Sequence, residues 1–176
     1  GLWYSALAAF FGIGLGLVFG FSYDKLPCQL MDALWQNLVI SIRNQQLTSL
    51  MTGISNFGYF GTMIIWLVVG ATLVVKRQWR MLLACCVLAV GGYGFGYGLK
   101  SAFSRPRPEL SLVVETFHSY PSLHALTATV VYLTLAYLCY HYSRRFWGSY
   151  LVFLVGLVMV TSISLSRIYL GVHYWT

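Results

Sequence analysis

Long apolar runs separated by short polar segments dominate the sequence. Five runs are long enough to cross the roughly 30 Å hydrocarbon layer of a membrane as helices; they cover residues 2–21, 57–75, 81–99, 121–140 and 146–165. No basic segment precedes the first run, and its length exceeds that of a signal-peptide core, so we interpret it as a span. The pattern predicts an all-α, polytopic transmembrane helical bundle.

The polar stretch between the first two runs has a helical period of its own. Its apolar residues fall on one face and its polar residues on another, which predicts an amphipathic helix in the membrane interface. The apolar set is Met31, Leu34, Trp35, Leu38, Val39 and Ile42, and the polar set is Asp32, Gln36 and Arg43. A second short helix of this kind is predicted from Gln46 to Ile54. We interpret 23–56 as an interfacial segment within a single domain, 1–176.

Composition narrows the class of protein. Hydrophobic residues make up 59% of the chain and charged residues 9%, whereas about a quarter of an ordinary soluble domain is charged. Soluble enzymes, disordered tails and collagen-like fibres are therefore excluded. The net charge of +7 does not indicate a nucleic-acid partner, because the basic residues stand at the ends of apolar runs.

The short loops predict an orientation in the membrane. Residues 76–80 and 143–145 carry basic side chains and no acid, and the positive-inside rule places such loops in the cytoplasm. The longer connection, 100–120, and the segment 166–176 then lie on the other side. In a bacterium this would be the periplasmic or extracellular face of the inner membrane.

Three polar clusters stand at the ends of the last three runs, where ionisable groups are rare unless they have a task. Lys100, Arg107 and Arg167 could surround a tetrahedral dianion, for which phosphate is the obvious candidate. Pro121 suits the first turn of a helix. The N–H groups of the next three residues would then face an anion at the positive end of the helix dipole; these residues are Ser122, Leu123 and His124.

Two histidines complete a plausible mechanism of phosphoryl transfer. One of them would attack phosphorus and the other would protonate the departing alkoxide; His173 and His124 are the candidates. Gly171 can end the last helix just before His173. Glu109 and Glu115 lack the clustered partners of a metal site, so we expect neither a metal nor another cofactor.

These clusters resemble the three motifs of the type 2 phosphatidic acid phosphatase (PAP2) superfamily, the lipid phosphate phosphatases. The motifs read K-x6-R-P, P-S-G-H and S-R-x5-H-x3-D. They match Lys100, Arg107 and Pro108, then Pro121, Ser122 and His124, and finally Ser166, Arg167 and His173. The sequence departs from the pattern at Leu123, where the family usually has glycine. The acid of the third motif would fall at position 177, past Thr176.

The resemblance implies a metal-independent lipid phosphatase. The residue matching His173 is the family's nucleophile, the one matching His124 its general acid, and the phosphate ligands match Lys100, Arg107, Ser122 and Arg167, with Leu123 contributing its N–H. A six-helix family fold implies one further span after Thr176, so we expect the sequence to be truncated at its C-terminal end. The substrate class comprises phosphatidate, phosphatidylglycerol phosphate, undecaprenyl diphosphate and lipid A.

Two other functions remain open at this point. The Pro-Ser-Leu-His form of the second motif is similar to that of inositol-phosphate transferases, so a lipid phosphotransferase stays an alternative to the phosphatase. A non-catalytic, lipid-binding membrane protein is the other alternative. Arg105 has no motif position and is interpreted as a peripheral or headgroup-binding charge, while Asp32 and Arg43 are interpreted as anchors of the fold.

Overall fold

The computed structural model describes residues 20–143 and 145–176. Helices account for the regular structure of this part of the chain, and no strand occurs in it. We number them α1 (Leu26–Ile42), α2 (Gln45–Asn56), α3 (Thr62–Val75), α4 (Trp79–Phe103), α5 (Leu123–Ser143) and α6 (Phe146–Tyr169). A single π turn, Phe57–Gly61, joins α2 to α3.

Four helices are long and apolar enough to span a membrane, and the protein is an integral membrane protein. They are Gln45–Val75, Trp79–Phe103, Leu123–Ser143 and Phe146–Tyr169. Four of the five predicted runs are thereby confirmed as helices. The remaining run, 2–21, lies outside the described residues except for its last two positions.

The predicted helix is confirmed as α1, while its position in the membrane interface stays a prediction, and its two faces differ from the predicted ones. Asp32, which the pattern placed on the polar side, is buried together with Val39, whereas Leu34 and Leu38 are exposed. The second predicted short helix is wrong as a separate element. Residues 46–54 belong to a continuous 31-residue helix, Gln45–Val75, because the backbone on both sides of the π turn keeps helical angles.

Helix α5 packs against both α4 and α6, and the three polar clusters lie at the ends of these helices. Ala128 and Tyr132 of α5 pack against Ile163 of α6 in a buried cluster. On α4, a β-carbon at Gly96 would lie 2.8 Å from Leu123 Cδ2, so the glycine permits close packing of α4 on α5. Gly92, four residues before Gly96, faces the same helix, since a β-carbon there would lie 3.2 Å from Val130 Cγ2.

The end of α6 is fixed by a Schellman motif. Gly171, with φ of 72°, donates to the carbonyl of Ile168 at 2.9 Å, and Val172 donates to that of Arg167 at 3.2 Å. A β-carbon at Gly171 would lie 2.7 Å from the carbonyl oxygen of Leu110, so both space and backbone conformation require glycine. The prediction that Gly171 ends this helix is confirmed, and His173 follows directly.

Candidate active site

Six of the seven predicted site residues line one cavity of about 290 Å³. It lies where α4 and α6 end and α5 begins, which we call the site end of the bundle. The predicted residues in its wall are Lys100, Arg107, Leu123, His124, Arg167 and His173, and the other lining residues are Tyr59, Tyr93, Glu115, Thr116, Phe117 and Thr127. The tertiary structure thus brings together residues from three separate motifs.

Backbone carbonyls hold two of the cations in the cavity wall. Lys100, in the last turn of α4, donates from Nζ to the carbonyl of His118. Arg107 donates from Nε to Phe117 and from Nη1 to Val172, at 2.5 and 2.6 Å. Burial and the positive charge of Arg167 lower the pKa of the Arg107 guanidinium, while the Glu115 carboxylate opposes this shift.

Arg167 is held by side chains. Its Nη1 donates to Ser55 Oγ at 3.0 Å and its Nη2 donates to Glu115 Oε1 at 2.5 Å. Its Nε is buried, and no acceptor in the described part of the chain lies within hydrogen-bonding distance of it. Since a buried N–H without a partner is costly, this donor is suited to a ligand oxygen.

His173 is almost completely buried, with 7% of its surface exposed. Burial, together with the positive charges of Arg167, Arg107 and Lys100, holds its pKa well below the ordinary value for histidine, while a hydrogen bond to the backbone of Ser119 opposes the shift. Because that bond raises the pKa, the ring is its donor. The imidazole is therefore neutral near pH 7.

His124 is the second residue of α5, and its ring lies against that of Tyr59, with 5.7 Å between the ring centroids. Tyr59 belongs to the π turn, a feature that often marks functional sites. The histidine thus faces the cavity next to an irregular piece of helix. Helix α5 brings it to the same cavity wall as His173.

The second motif departs from its prediction in two details. Helix α5 begins at Leu123, so Pro121 precedes the first turn and Ser122 occupies the capping position. Ser122 Oγ accepts from the N–H of Ala125 at 3.5 Å, and Ser122 lines a neighbouring cavity of about 190 Å³ rather than the main one. The N–H groups of Leu123 and His124 lack intrahelical partners, as in any first turn.

Four contacts at the site were missed by sequence reasoning. Glu115 and Ser55 hold Arg167, and Ser119 holds His173. The prediction that Arg105 is peripheral is wrong, because it is 3% exposed and its Nη2 lies 2.5 Å from Asp32 Oδ2. No local pattern marks these residues, since each partner comes from a distant part of the chain.

Comparison with known proteins agrees with this geometry. Residues 78–176 match the PAP2 superfamily. The chain is also 30% identical over 152 residues to phosphatidylglycerophosphatase B of Bacillus subtilis (strain 168), which covers 84% of this chain and 74% of that protein. The chain belongs to the PAP2 superfamily. It is therefore a phosphoric ester hydrolase that acts on lipid phosphates.

The fold of this PAP2 protein is also matched by a solved structure. The crystal structure of a transmembrane PAP2 type phosphatidylglycerolphosphate phosphatase from Bacillus subtilis superposes with a TM-score of 0.83 at 25% sequence identity. The match covers 92% of this chain and 82% of that chain. The predicted all-α transmembrane fold is confirmed.

Proposed function

We propose that this protein removes a terminal phosphate from a membrane lipid through a phospho-histidine formed at His173. The observation that carries the proposal is a buried, neutral imidazole in the wall of a cavity lined by three cationic side chains. Phosphatidylglycerol phosphate is the first candidate substrate, because both similar proteins bear the name of a phosphatase of that lipid.

In the first step, the free ring nitrogen of His173 attacks phosphorus and forms a P–N bond. The P–O bond to the lipid breaks, its electron pair goes to the alkoxide, and His124 gives that oxygen a proton. Lys100, Arg107 and Arg167 bind the phosphoryl oxygens. The N–H groups at the start of α5, those of Leu123 and His124, add donors at the positive end of the helix dipole, and Ser122 supports this turn as its cap.

In the second step, water attacks the phosphorus of the phospho-histidine. His124, now neutral, takes a proton from the water as the P–N bond breaks, and the electron pair of that bond returns to His173. Inorganic phosphate leaves and both histidines regain their starting states. The three cationic side chains supply the charge that a metal would otherwise provide, so the proposed reaction is metal-independent.

The membrane setting fits a lipid substrate. Tyr93 and Thr127 line the cavity, and they lie on the spanning helices α4 and α5, farther from the site end than Lys100 and His124. Tyr93 precedes Lys100 by seven residues, or about 10 Å along a helix. A phosphate at the site end would thus leave the acyl chains among the helices. With Lys76, Arg77 and Arg80 at the other end, the positive-inside rule favours a site on the outer face of the bacterial inner membrane.

The proposal is tested by phosphate release from lipid phosphates in detergent with EDTA present. We expect release by the wild type to persist in EDTA and to fall by at least about a thousandfold in His173→Ala, since loss of a nucleophile removes the covalent route. Phosphate-labelled substrate should also leave an acid-labile, alkali-stable label on the wild-type protein. Loss of activity in EDTA, or release that survives in the variant, would refute the mechanism.

His141→Ala is the matched control, because His141 is exposed and lies in the last turns of α5, far from the cavity along the helix. It should release phosphate at the wild-type rate. Adding a short alcohol tests the transferase alternative in the same assay. Phosphate passed to the alcohol faster than to water would replace the hydrolase by a phosphotransferase.

A further inference from the structure

Glu115 stands between two of the three cations in the cavity. Its Oε1 accepts from Arg167 Nη2 at 2.5 Å, and its Oε2 lies 3.8 Å from Arg107 Nη2. It also lines a second cavity of about 300 Å³, which shares Tyr59, His124 and Arg167 with the first. No sequence motif includes this residue, and the proposed reaction gives it no step.

The carboxylate of Glu115 is held in its charged form. Burial alone would raise its pKa, but the hydrogen bond and charge of Arg167, together with the charge of Arg107, outweigh burial and leave the pKa below its ordinary value. At neutral pH the cavity wall therefore contains one negative charge among its positive ones.

Glu115 lowers the positive charge of the cavity wall. Lys100, Arg107 and Arg167 contribute three positive charges at neutral pH and Glu115 cancels one of them, while the proton that the mechanism requires on His124 adds a charge for either substrate. A lipid phosphomonoester carries up to about two negative charges at neutral pH, and a lipid diphosphate carries about one more. The carboxylate of Glu115 therefore repels the more highly charged diphosphate more strongly than the monoester.

The hydrogen-bond donors point the same way. Arg107 uses Nε and one N–H of Nη1 on backbone carbonyls, and its Nη2 faces Glu115. Arg167 uses one N–H of Nη1 on Ser55 and one N–H of Nη2 on Glu115, and its Nε–H has no acceptor in the described part of the chain. A second phosphoryl group would compete with the Glu115 carboxylate for the Nη2 groups of both arginines.

Building on the proposed function, we propose that Glu115 is a specificity-determining residue that favours lipid phosphomonoesters over lipid diphosphates. It does so by cancelling one positive charge and by occupying guanidinium donors that a second phosphoryl group would need. A purely positioning role, in which Glu115 only holds Arg167 in place, makes a different prediction. It would affect both substrates by the same factor.

The test compares Glu115→Gln with Glu109→Gln, a matched control in the same loop whose side chain is exposed. Glutamine keeps the size of the side chain and an oxygen for Arg167, but it removes the charge. We measure kcat/KM for phosphatidate and for farnesyl diphosphate in mixed micelles. In Glu115→Gln the preference should shift toward the diphosphate by on the order of tenfold, because a lost negative charge favours the more highly charged ligand. Glu109→Gln should leave the ratio within twofold.

A second measurement uses the wild type alone and does not depend on how the variant folds. Inorganic phosphate and pyrophosphate are compared as competitive inhibitors of phosphatidate hydrolysis. Although pyrophosphate carries the larger charge, we expect it to inhibit no more tightly than phosphate.

Two results would overturn the inference: a substrate ratio that is unchanged in Glu115→Gln, which includes equal losses for both substrates, or pyrophosphate that binds the wild type more than tenfold tighter than phosphate. Failure of the proposed function is a separate result. It would be seen as full activity in His173→Ala, whatever the substrate ratio.

Discussion

The two ends of the helical bundle both carry basic residues but use them differently. At the end opposite the site, Lys76, Arg77, Arg80 and Arg145 are exposed, and none of them forms an ion pair within the described part of the chain. At the site end, Lys100, Arg105 and Arg167 are buried and each has defined partners. Exposed charges are stabilised by solvent, whereas a buried charge requires partners. Burial with partners therefore distinguishes the basic residues at the site end from the solvent-exposed ones at the opposite end.

The largest loss of stability should come from breaking the ion pair between Asp32 of α1 and Arg105 in the loop that follows α4. Asp32→Asn leaves Arg105 buried without its carboxylate, which should lower the free energy of unfolding by about 3 kcal/mol, or the melting temperature by roughly 10 °C. Thermal unfolding in detergent measures this. Asp24→Asn is the control, since Asp24 is exposed just before the same helix. Equal stability of the two variants would show that the buried pair contributes nothing.

The next prediction compares two arginines from opposite ends of the bundle. Arg167→Lys keeps the charge but loses the planar fork that reaches Ser55 and Glu115 at once, so kcat/KM should fall by about a hundredfold, or ~2.7 kcal/mol. Arg145→Lys should remain within twofold of the wild type. Both are measured as phosphate release. A loss of less than fivefold in Arg167→Lys would mean that charge alone suffices there.

A smaller effect is the dependence of folding stability on pH. Because the pKa of His173 is lowered in the folded protein by burial and by Arg167, Arg107 and Lys100, the unfolded chain takes up this proton first as pH falls. Stability from the neutral imidazole is present above about pH 6.5 and is lost progressively as pH falls below that value, where the unfolded chain gains the proton and the folded chain does not.

Thermal unfolding of the wild type and of His173→Gln between pH 7 and pH 5 measures this contribution. The wild type should lose more stability than the variant over that range, because glutamine has no proton to gain. Parallel curves for the two proteins would contradict the lowered pKa.

The smallest effect tests how closely the helices pack at the site end. A β-carbon at Gly96 would lie 2.5 Å from Leu126 Cδ2, whereas at Gly94 it would meet nothing within 4 Å. Gly96→Ala should therefore be less stable than Gly94→Ala by about 1 kcal/mol, since leucine ends can shift at modest cost. The comparison within one helix cancels the difference in helix propensity. Equal stabilities would mean that α4 moves away from α5 freely.

Much of the fold was predictable because spanning helices must be apolar over their full membrane-crossing length. The run 81–99 became α4, Trp79–Phe103, and the run 146–165 became α6, Phe146–Tyr169. Both helices extend past their apolar runs at the site end. The reason is that polar residues, Lys100 and Arg167, continue these helices. Hydropathy therefore underestimates the helix length at the site end.

The sequence predicted the residues that line the candidate site but not the residues that hold their side chains in place. Motif spacing predicted Lys100, Arg107, His124, Arg167 and His173, and the fold brings all five to one cavity; their individual roles stay predictions. The start of α5 was predicted two residues early, because Ser122 rather than Pro121 lies at the helix boundary.

By itself, the sequence determined the membrane setting, the helices and the set of phosphate-binding residue types, because hydropathy and motif spacing are local properties of the chain. Only the tertiary structure decided which polar groups meet. Arg167 finds Ser55 at a separation of 112 residues and Glu115 at 52, and Arg105 finds Asp32 at 73. Such pairs depend on how helices pack in three dimensions, and a buried charge must find its partner there whatever the distance along the chain.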